Sequence, residues 1–126
     1  MNKNRKILLY SMPAEAHRTL AGICLKYDIE CKKIPKARFS QTIACHVGLR
    51  ETDGKRQSWE GGDFPAPMLV FSGIDDKTMD FILDEYKKSG LPSETFKAIV
   101  TPHNLGWSAV ELYAELNRER REIAST

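Results

Sequence analysis

The tetrapeptide Thr101-Pro102-His103-Asn104 carries the most reactive combination of side chains in this sequence. The imidazole of His103 titrates near neutral pH, so it can act as an acid, a base or a ligand. Asn104 beside it offers a hydrogen-bond donor and an acceptor that can orient a bound molecule. The same residues are also typical of a turn, in which their side chains only close the entrance of the following helix. The sequence leaves both interpretations open.

Further polar residues follow apolar runs, at positions where a strand is expected to end. Ser11 follows Ile7–Tyr10, and Ser72 and Asp75 follow Met68–Phe71. In an open parallel sheet, ligands bind beyond the carboxyl ends of the strands, near the point where the strand order reverses. We therefore expect these turns to converge with the tetrapeptide on one cleft. The candidate binding residues are His103, Asn104, Thr101, Ser11, Ser72, Asp75 and Trp107.

The sequence assigns no catalytic residue, cofactor or metal site. Asp75-Asp76 is more typical of a helix N-cap followed by a first-turn acid than of a metal-binding pair. The three cysteines lack the CxxC or HxxxH spacing of a zinc site. Spacing also gives no support to Cys45 as a nucleophile paired with a histidine base.

Two strand-helix-strand units provide the scaffold, over about residues 6–35 and 67–101. Each has an apolar strand, a helix with one apolar stripe, and a short polar strand. The alignment of Ile7–Ser11 with Met68–Ser72, and of Tyr27 with Tyr86, indicates an internal pseudo-repeat; chance similarity of two common units is the alternative. The two stripes are Leu20, Ile23, Cys24 and Tyr27 in the first helix, and Met79, Ile82, Leu83 and Tyr86 in the second.

These units predict one α/β domain spanning residues 1–126. We expect a three-layer domain with a four-stranded, mostly parallel sheet of order 2-1-3-4, helices on both faces and a final helix. Continuous apolar runs such as Ile7–Tyr10 favour this arrangement, because strands in a parallel sheet are buried on both faces. The alternative is a ferredoxin-like α+β sheet with one covered face.

Three segments lie outside the repeated units. Between the units, Phe39, Ile43 and Val47 predict a short helix that Ser40 caps and Gly48 ends. Residues 50–66 predict a mobile loop, whose Trp59 and Phe64 pack on the body or close over a ligand. In the first unit, Pro13 is expected in the opening turn of the helix, with Ser11 or Met12 at its cap.

The final helix is expected over about residues 108–121. Ser108 and Glu111 have the spacing of a capping box, in which each side chain binds the backbone amide of the other residue. Trp107 and Leu112 have the spacing of a hydrophobic staple. This helix is therefore the most strongly marked element in the sequence.

Composition excludes several classes of partner. The 126 residues carry a net charge of +2 with dispersed lysines and arginines, which predicts no binding to nucleic acid or to a membrane. The basic N-terminus is followed by an apolar run too short for a signal peptide, so a cytoplasmic location with reduced cysteines is expected. The expected partner is a protein or a small molecule, and homodimer formation remains possible.

Several segments together resemble the bacterial domain of unknown function 3783. They are ILLY near the start, PAPMLVFSG in the middle, then KAIVTPHNLGW and the final VELYAEL, and the resemblance is clearest over residues 65–119. This family is functionally uncharacterised, so the resemblance implies a bacterial, cytoplasmic protein and no particular activity. We expect a non-catalytic binding or regulatory module. The alternative is a small enzyme or small-molecule-binding protein that uses the cleft around His103 and Asn104.

Overall fold

The computed structural model describes residues 4–49 and 57–124. Part of the predicted mobile loop, residues 50–56, lies outside these described residues. None of the described helices is both long enough and apolar enough to cross a membrane. In chain order the elements are β1 Lys6–Tyr10, α1 Ala14–Lys26, β2 Glu30–Lys33, a 3-10 turn Lys36–Arg38, α2 Ile43–His46, β3 Met68–Ser72, α3 Asp76–Lys88, β4 Phe96–Ile99 and α4 Ala109–Ala124.

The four strands form one sheet of order β2-β1-β3-β4, which confirms the predicted order. The outer pairs β1–β2 and β3–β4 are parallel, as expected. The central pair β1–β3 is antiparallel, with Lys6 opposite Ser72 and Tyr10 opposite Met68. Each strand-helix-strand unit therefore contributes a parallel pair, and the two pairs run in opposite directions.

Helices cover both faces of the sheet, because side chains alternate between the two faces along β1 and β3. On one face, Leu9 and Phe71 pack with buried residues of α1 and α3. On the other face, Tyr10 and Val70 pack with α2 and α4. The central strands are thus buried on both sides, which explains why their sequences are continuously apolar.

The two units superpose in sequence with an offset of 62 positions. Strands β1 and β3 begin at residues 6 and 68, and helices α1 and α3 span residues 14–26 and 76–88. Because Leu8 pairs with Val70 at the middle of both strands, the units are related by an approximate twofold axis through that pair. The alignment of Ile7 with Met68 predicted from the sequence is wrong by one position, since these residues face opposite layers.

The turns of the two units share an unusual backbone conformation. Ser11 and Asp28 have φ values of +55° and +56°, and their equivalents Gly73 and Gly90 have values of +69° and +71°. A positive φ is easily adopted by glycine and strained for other residues. The first unit therefore holds non-glycine residues where the second has glycine.

Two of the predicted helix starts are wrong. The N-cap of α1 is Pro13, with no side-chain capping bond, and Ser11 precedes it in the left-handed conformation. The N-cap of α2 is Thr42, whose side chain accepts a hydrogen bond from the Cys45 amide at 3.2 Å. Ser40 is displaced from that role because the 3-10 turn extends the chain before α2 begins.

The start of the final helix agrees with its sequence signature. The amide of Ser108 donates to the Glu111 carboxylate, and the Glu111 amide donates to the Ser108 hydroxyl, each at 3.0 Å. The helix is longer than predicted and ends at Ala124. Its last turns carry ion pairs of Arg118 with Glu115 and Glu122. The prediction relied on the apolar stripe, which these charged residues do not continue.

The described part of the predicted loop packs on the body of the domain. Phe64 is buried between the rings of Phe39 and Tyr113, with centroid separations of 4.5 and 4.2 Å. The Trp59 amide donates to the Ala37 carbonyl at 2.9 Å. Of the two roles predicted for these aromatic residues, the structure shows packing on the body.

Candidate functional site

The single cleft expected from the sequence does not form. Ser11 follows Tyr10, which lies opposite the first residue of β3, whereas Ser72 is the last residue of β3 and lies opposite Lys6. At about 3.4 Å per residue, Ser11 and Ser72 are therefore roughly 17 Å apart along the sheet. The cause is the antiparallel central pair, which places the carboxyl ends of β1 and β3 at opposite edges. Ser11 thus lies away from Ser72, Asp75 and Thr101.

The Thr101-to-Asn104 segment is closed by its own hydrogen bonds. The Asn104 side chain accepts from the Thr101 amide at 2.9 Å and donates to the Ile99 carbonyl at 3.0 Å. Its backbone amide donates to the Thr101 hydroxyl at 3.2 Å. Asn104 is only 8% exposed. Because both ends of its side-chain amide are hydrogen-bonded within the segment, this group stabilises the turn that follows β4.

His103 lies on the surface beside this turn. Its exposed imidazole ring makes a T-shaped contact with the ring of Trp107, at a centroid distance of 5.0 Å and an interplanar angle of 67°. The Trp107 carbonyl in turn accepts from the Ile43 amide at 2.9 Å, which fastens the segment to α2. His103 and Trp107 therefore form an exterior ring contact next to a structural turn.

Asp75 is the N-cap of α3, and Asp76 is the first residue of that helix, as the sequence predicts. The Asp75 carboxylate accepts from the hydroxyl of Thr78 at 2.7 Å and from its amide at 3.1 Å. These two hydrogen bonds lower the pKa of Asp75. Within residues 4–49 and 57–124, no three His, Cys, Asp or Glu side chains gather as metal ligands.

A pocket of about 270 Å³ opens at the other edge of the sheet, beyond the carboxyl ends of β1 and β2. We call it the Ser11 pocket. Its polar lining is Ser11, Lys33, Lys36 and Asp63, and the aromatic rings of Phe39 and Phe64 form part of its wall. Met12 and Pro13, which lead into α1, also line it. Of the candidate binding residues, only Ser11 belongs to this pocket.

The wall of the Ser11 pocket is firmly held. The Ser11 hydroxyl accepts from the Phe64 amide at 3.0 Å, which joins the exit of β1 to the segment before β3. The Phe64 ring also stacks on the rings of Phe39 and Tyr113. The Tyr113 hydroxyl accepts a hydrogen bond from the Ala66 amide at 3.1 Å, which holds the same segment. The turn at Ser11, where φ is +55°, is thus hydrogen-bonded to the segment before β3.

A buried polar network lies beside the carboxyl end of β1, and it was not predicted from the sequence. His46 is fully buried, with Nδ1 at 2.8 Å from the Tyr10 hydroxyl and Nε2 at 2.8 Å from the Arg38 carbonyl. Because a carbonyl oxygen only accepts, Nε2 donates in that bond. Burial raises the pKa of Tyr10 well above its usual value, and the positive charge of Arg38 opposes this shift. The apolar surroundings of Cys45-His46 in the sequence were the available signal for burial.

Comparison with known proteins identifies the second unit only. Residues 67–123 match the sequence model of a family described as "Domain of unknown function (DUF3783)". The match covers 57 of the 126 residues, and this part of the chain, which we call the DUF3783 segment, is similar to that family. The resemblance seen in the sequence is thereby confirmed for β3, α3, β4 and nearly all of α4. No curated protein and no solved structure matches the chain significantly.

The DUF3783 segment and the Ser11 pocket occupy different parts of the chain. The segment contains His103, Asn104 and Asp75, all of which lie at the opposite edge of the sheet from Ser11. The lysines that line the pocket come from β2 and the 3-10 turn, which precede the DUF3783 segment. DUF3783 residues reach this edge through Tyr113 of α4, whose ring stacks on Phe64.

Proposed function

We propose that this chain is a non-catalytic binding module that holds a small organic anion in the Ser11 pocket. We also propose that the protein is bacterial and acts in the cytoplasm. The ligand would carry one carboxylate or phosphate group and a short apolar part. The observation that carries the proposal is the contrast between the starts of α1 and α3.

The two equivalent helix starts differ in how their positive end is neutralised. The N-terminus of a helix favours negative charge, because its first amides lack partners within the helix. In α3 the Asp75 carboxylate fills this role. In α1 the equivalent position is Pro13, which provides no side-chain cap, and the Ser11 pocket opens beside it. An external anion in the pocket would play the part that Asp75 plays in the second unit.

The charges and the size of the pocket narrow the ligand. Lys33 and Lys36 supply two positive charges, and Asp63 supplies one negative charge on the same lining. This balance favours a ligand with a single anionic group over a polyanion, and Asp63 can accept a hydrogen bond from a hydroxyl or amine on it. A volume of about 270 Å³ lies just below the usual range for drug-sized ligands, so a small metabolite fits better.

The same lining gives no basis for catalysis. Its one hydroxyl nucleophile, Ser11, already accepts from the Phe64 amide, and the described lining contains no histidine or cysteine to activate it. The enzyme alternative around His103 and Asn104 loses its orienting group, because the Asn104 amide closes the turn after β4. Binding without turnover is therefore the function that the geometry supports best.

The proposal is tested by NMR titration of the 15N-labelled chain with inorganic phosphate and, separately, with acetate. We expect amide shifts at Ser11, Lys33, Lys36 and the first turn of α1, and small shifts at the start of α3. The double variant Lys33→Ala/Lys36→Ala should bind at least about tenfold more weakly, since each charge-assisted hydrogen bond contributes roughly 1.5–3 kcal/mol.

The matched control removes two lysines that line a different pocket, between α3 and β4. Lys87→Ala/Lys97→Ala changes the net charge equally but leaves the Ser11 pocket intact. It should retain the affinity of the parent chain. If both double variants weaken binding equally, the effect is general electrostatic attraction and the assignment of the pocket is wrong. The absence of shifts near Ser11 with either anion would have the same consequence.

A further inference from the structure

Two of the three cysteines meet between the last turn of α1 and the edge strand β2. Cys24 is buried at 1% exposure, and Cys31 is half-buried. Cys31 lies beside Ile7 in the parallel pairing of β1 and β2, and both residues pack in the layer that holds Cys24. The two side chains therefore pack on the same side of the sheet, across one short turn.

The turn between these cysteines holds their backbones close together. Asp28 adopts a positive φ at the end of α1, and the Ile29 amide then donates to the Cys24 carbonyl at 2.9 Å. The chain therefore reverses directly from the helix into β2. Helix and strand are in close contact along this stretch, so the thiol pair lies on a part of the fold that is well fixed.

Hydrogen bonding makes the two thiols chemically unequal. The hydrogen bond from Cys24 lowers the pKa of Cys31, although burial opposes that shift. The same hydrogen bond raises the pKa of Cys24, and burial raises it further. Cys31 is also the more exposed of the two, so it combines the features of an attacking thiolate.

We propose that Cys24 and Cys31 form a reversible redox pair in which Cys31 reacts with hydroperoxides and Cys24 then closes a disulfide. This inference is independent of the anion proposed for the Ser11 pocket. Its support is the packing of both side chains in one layer, across a short turn, at a partly exposed sheet edge. None of the three cysteines takes part in a disulfide in the structure, which corresponds to the reduced form.

The reaction balances in two steps. The Cys31 thiolate attacks one peroxide oxygen, the O–O bond breaks, and the leaving alkoxide or hydroxide takes a proton; Cys31 becomes a sulfenic acid. The Cys24 sulfur then attacks the Cys31 sulfur, its thiol proton passes to the departing hydroxide, and water leaves as the S–S bond forms. The thiols give two electrons to the peroxide. An added dithiol reverses the oxidation by thiol–disulfide exchange.

The third cysteine provides an internal comparison. Cys45 is buried at 2% exposure in the opposite layer, where its sulfur contacts Arg38 at 3.3 Å and Gln41 at 3.2 Å. It has no neighbouring thiol among the described residues. Cys45→Ser is therefore a matched control that removes one thiol and leaves the proposed pair intact.

The test treats the reduced full-length chain with hydrogen peroxide, blocks remaining thiols with N-ethylmaleimide and digests with trypsin. Cleavage after Lys26 and Lys32 separates the two cysteines into peptides 19–26 and 27–32. We expect these peptides to be joined, with a mass about 2 Da below their sum because two hydrogens are lost. Dithiothreitol should separate them again, and Cys45→Ser should give the same joined product.

Two further variants test the order of the steps. In Cys24→Ser the reaction should stop at the Cys31 sulfenic acid, which dimedone traps. In Cys31→Ser, Cys24 should remain reduced at the peroxide dose that fully oxidises the parent. Circular dichroism and thermal melting of each reduced variant establish that it is folded. The proposal is overturned if the joined peptides do not form, or if Cys45 is oxidised as fast as Cys31 in the folded parent chain.

Discussion

The two strand-helix-strand units have the same elements in the same order, and they differ mainly at their turns. Where the first unit has Ser11 and Asp28 with positive φ, the second has Gly73 and Gly90. Where α3 begins with the capping carboxylate of Asp75, α1 begins at Pro13 without a side-chain cap. The same backbone path is therefore relaxed in the second unit and strained in the first.

This difference separates a structural half from a half suited to binding. A non-glycine residue with positive φ costs roughly 1–2 kcal/mol, and such strain is often retained where a site is built. In the second unit, the Asp75 cap and the turn closed by Asn104 leave the strand exits occupied by the chain itself. In the first unit, the strained Ser11 faces an open pocket. Substitutions at several single positions test this difference between the two units.

The largest effect is expected from Gly73→Ala, which gives the second unit a side chain at its most crowded turn. Gly73 has a φ of +69°, and an added Cβ would collide with the backbone carbonyl of Asn4. Left-handed strain and the required backbone shift together should lower the free energy of unfolding by about 3 kcal/mol. Urea denaturation of variant and parent measures this difference.

The control for Gly73→Ala is Gly90→Ala, at the other left-handed glycine of the same unit. Gly90 has a φ of +71°, and its added Cβ would have no atom within 4 Å from any described residue other than Gly90 itself and its two chain neighbours. Only the conformational strain then applies, so the loss should be about 1 kcal/mol. Equal losses for the two variants would mean that the contact with Asn4 has no energetic role at the turn after β3.

A smaller effect is expected when the closed exit of the second unit is opened by Asn104→Ala. The substitution leaves the Thr101 amide and the Ile99 carbonyl without their partner. It should destabilise the chain by about 2 kcal/mol, within the range for buried polar groups that lose a hydrogen bond. Thermal and urea unfolding measure the change.

His103→Ala is the paired control for Asn104→Ala, since the two residues are adjacent and differ in burial. The substitution removes the ring contact of an exposed side chain with Trp107, so the loss should stay below about 1 kcal/mol. If His103→Ala destabilised the chain more than Asn104→Ala, then His103, and not Asn104, would be the residue that stabilises this turn.

The sequence predicted the elements better than their direction. The capping box of Ser108 and Glu111 and the N-cap Asp75 were recognised because each depends on a few neighbouring residues. The antiparallel central pair was missed because strands buried on both faces, such as Met68–Ser72, have no pattern that distinguishes the two directions. The offset of the repeat was predicted wrongly by one position for the same reason. The turn residues give the correct offset of 62, since Ser11 corresponds to Gly73 and Asp28 to Gly90.

The candidate site was predicted only in part. Ser11 was selected because it follows a strand, but Lys33 and Lys36, which also line the pocket, were not among the predicted site residues. Their proximity to Ser11 depends on the parallel pairing of β1 with β2 and on the turn that follows it. His46 was missed because its partners, Tyr10 and the Arg38 carbonyl, come together only in the folded chain.

The smallest predicted effect comes from Asp28→Gly, which makes the first unit resemble the second at the turn after its helix. The substitution removes the strain of a φ of +56°, while the added freedom of the unfolded chain offsets part of the gain. The net result should be a stabilisation of about 0.5 kcal/mol. The reciprocal change Gly90→Asp should destabilise by a similar amount, and urea denaturation of both single variants and the double swap measures all three. If Asp28→Gly instead lowers stability, the contacts of the Asp28 side chain outweigh its backbone strain. The aspartate would then be a stabilising residue of the first unit, and Ser11 would be its destabilising position.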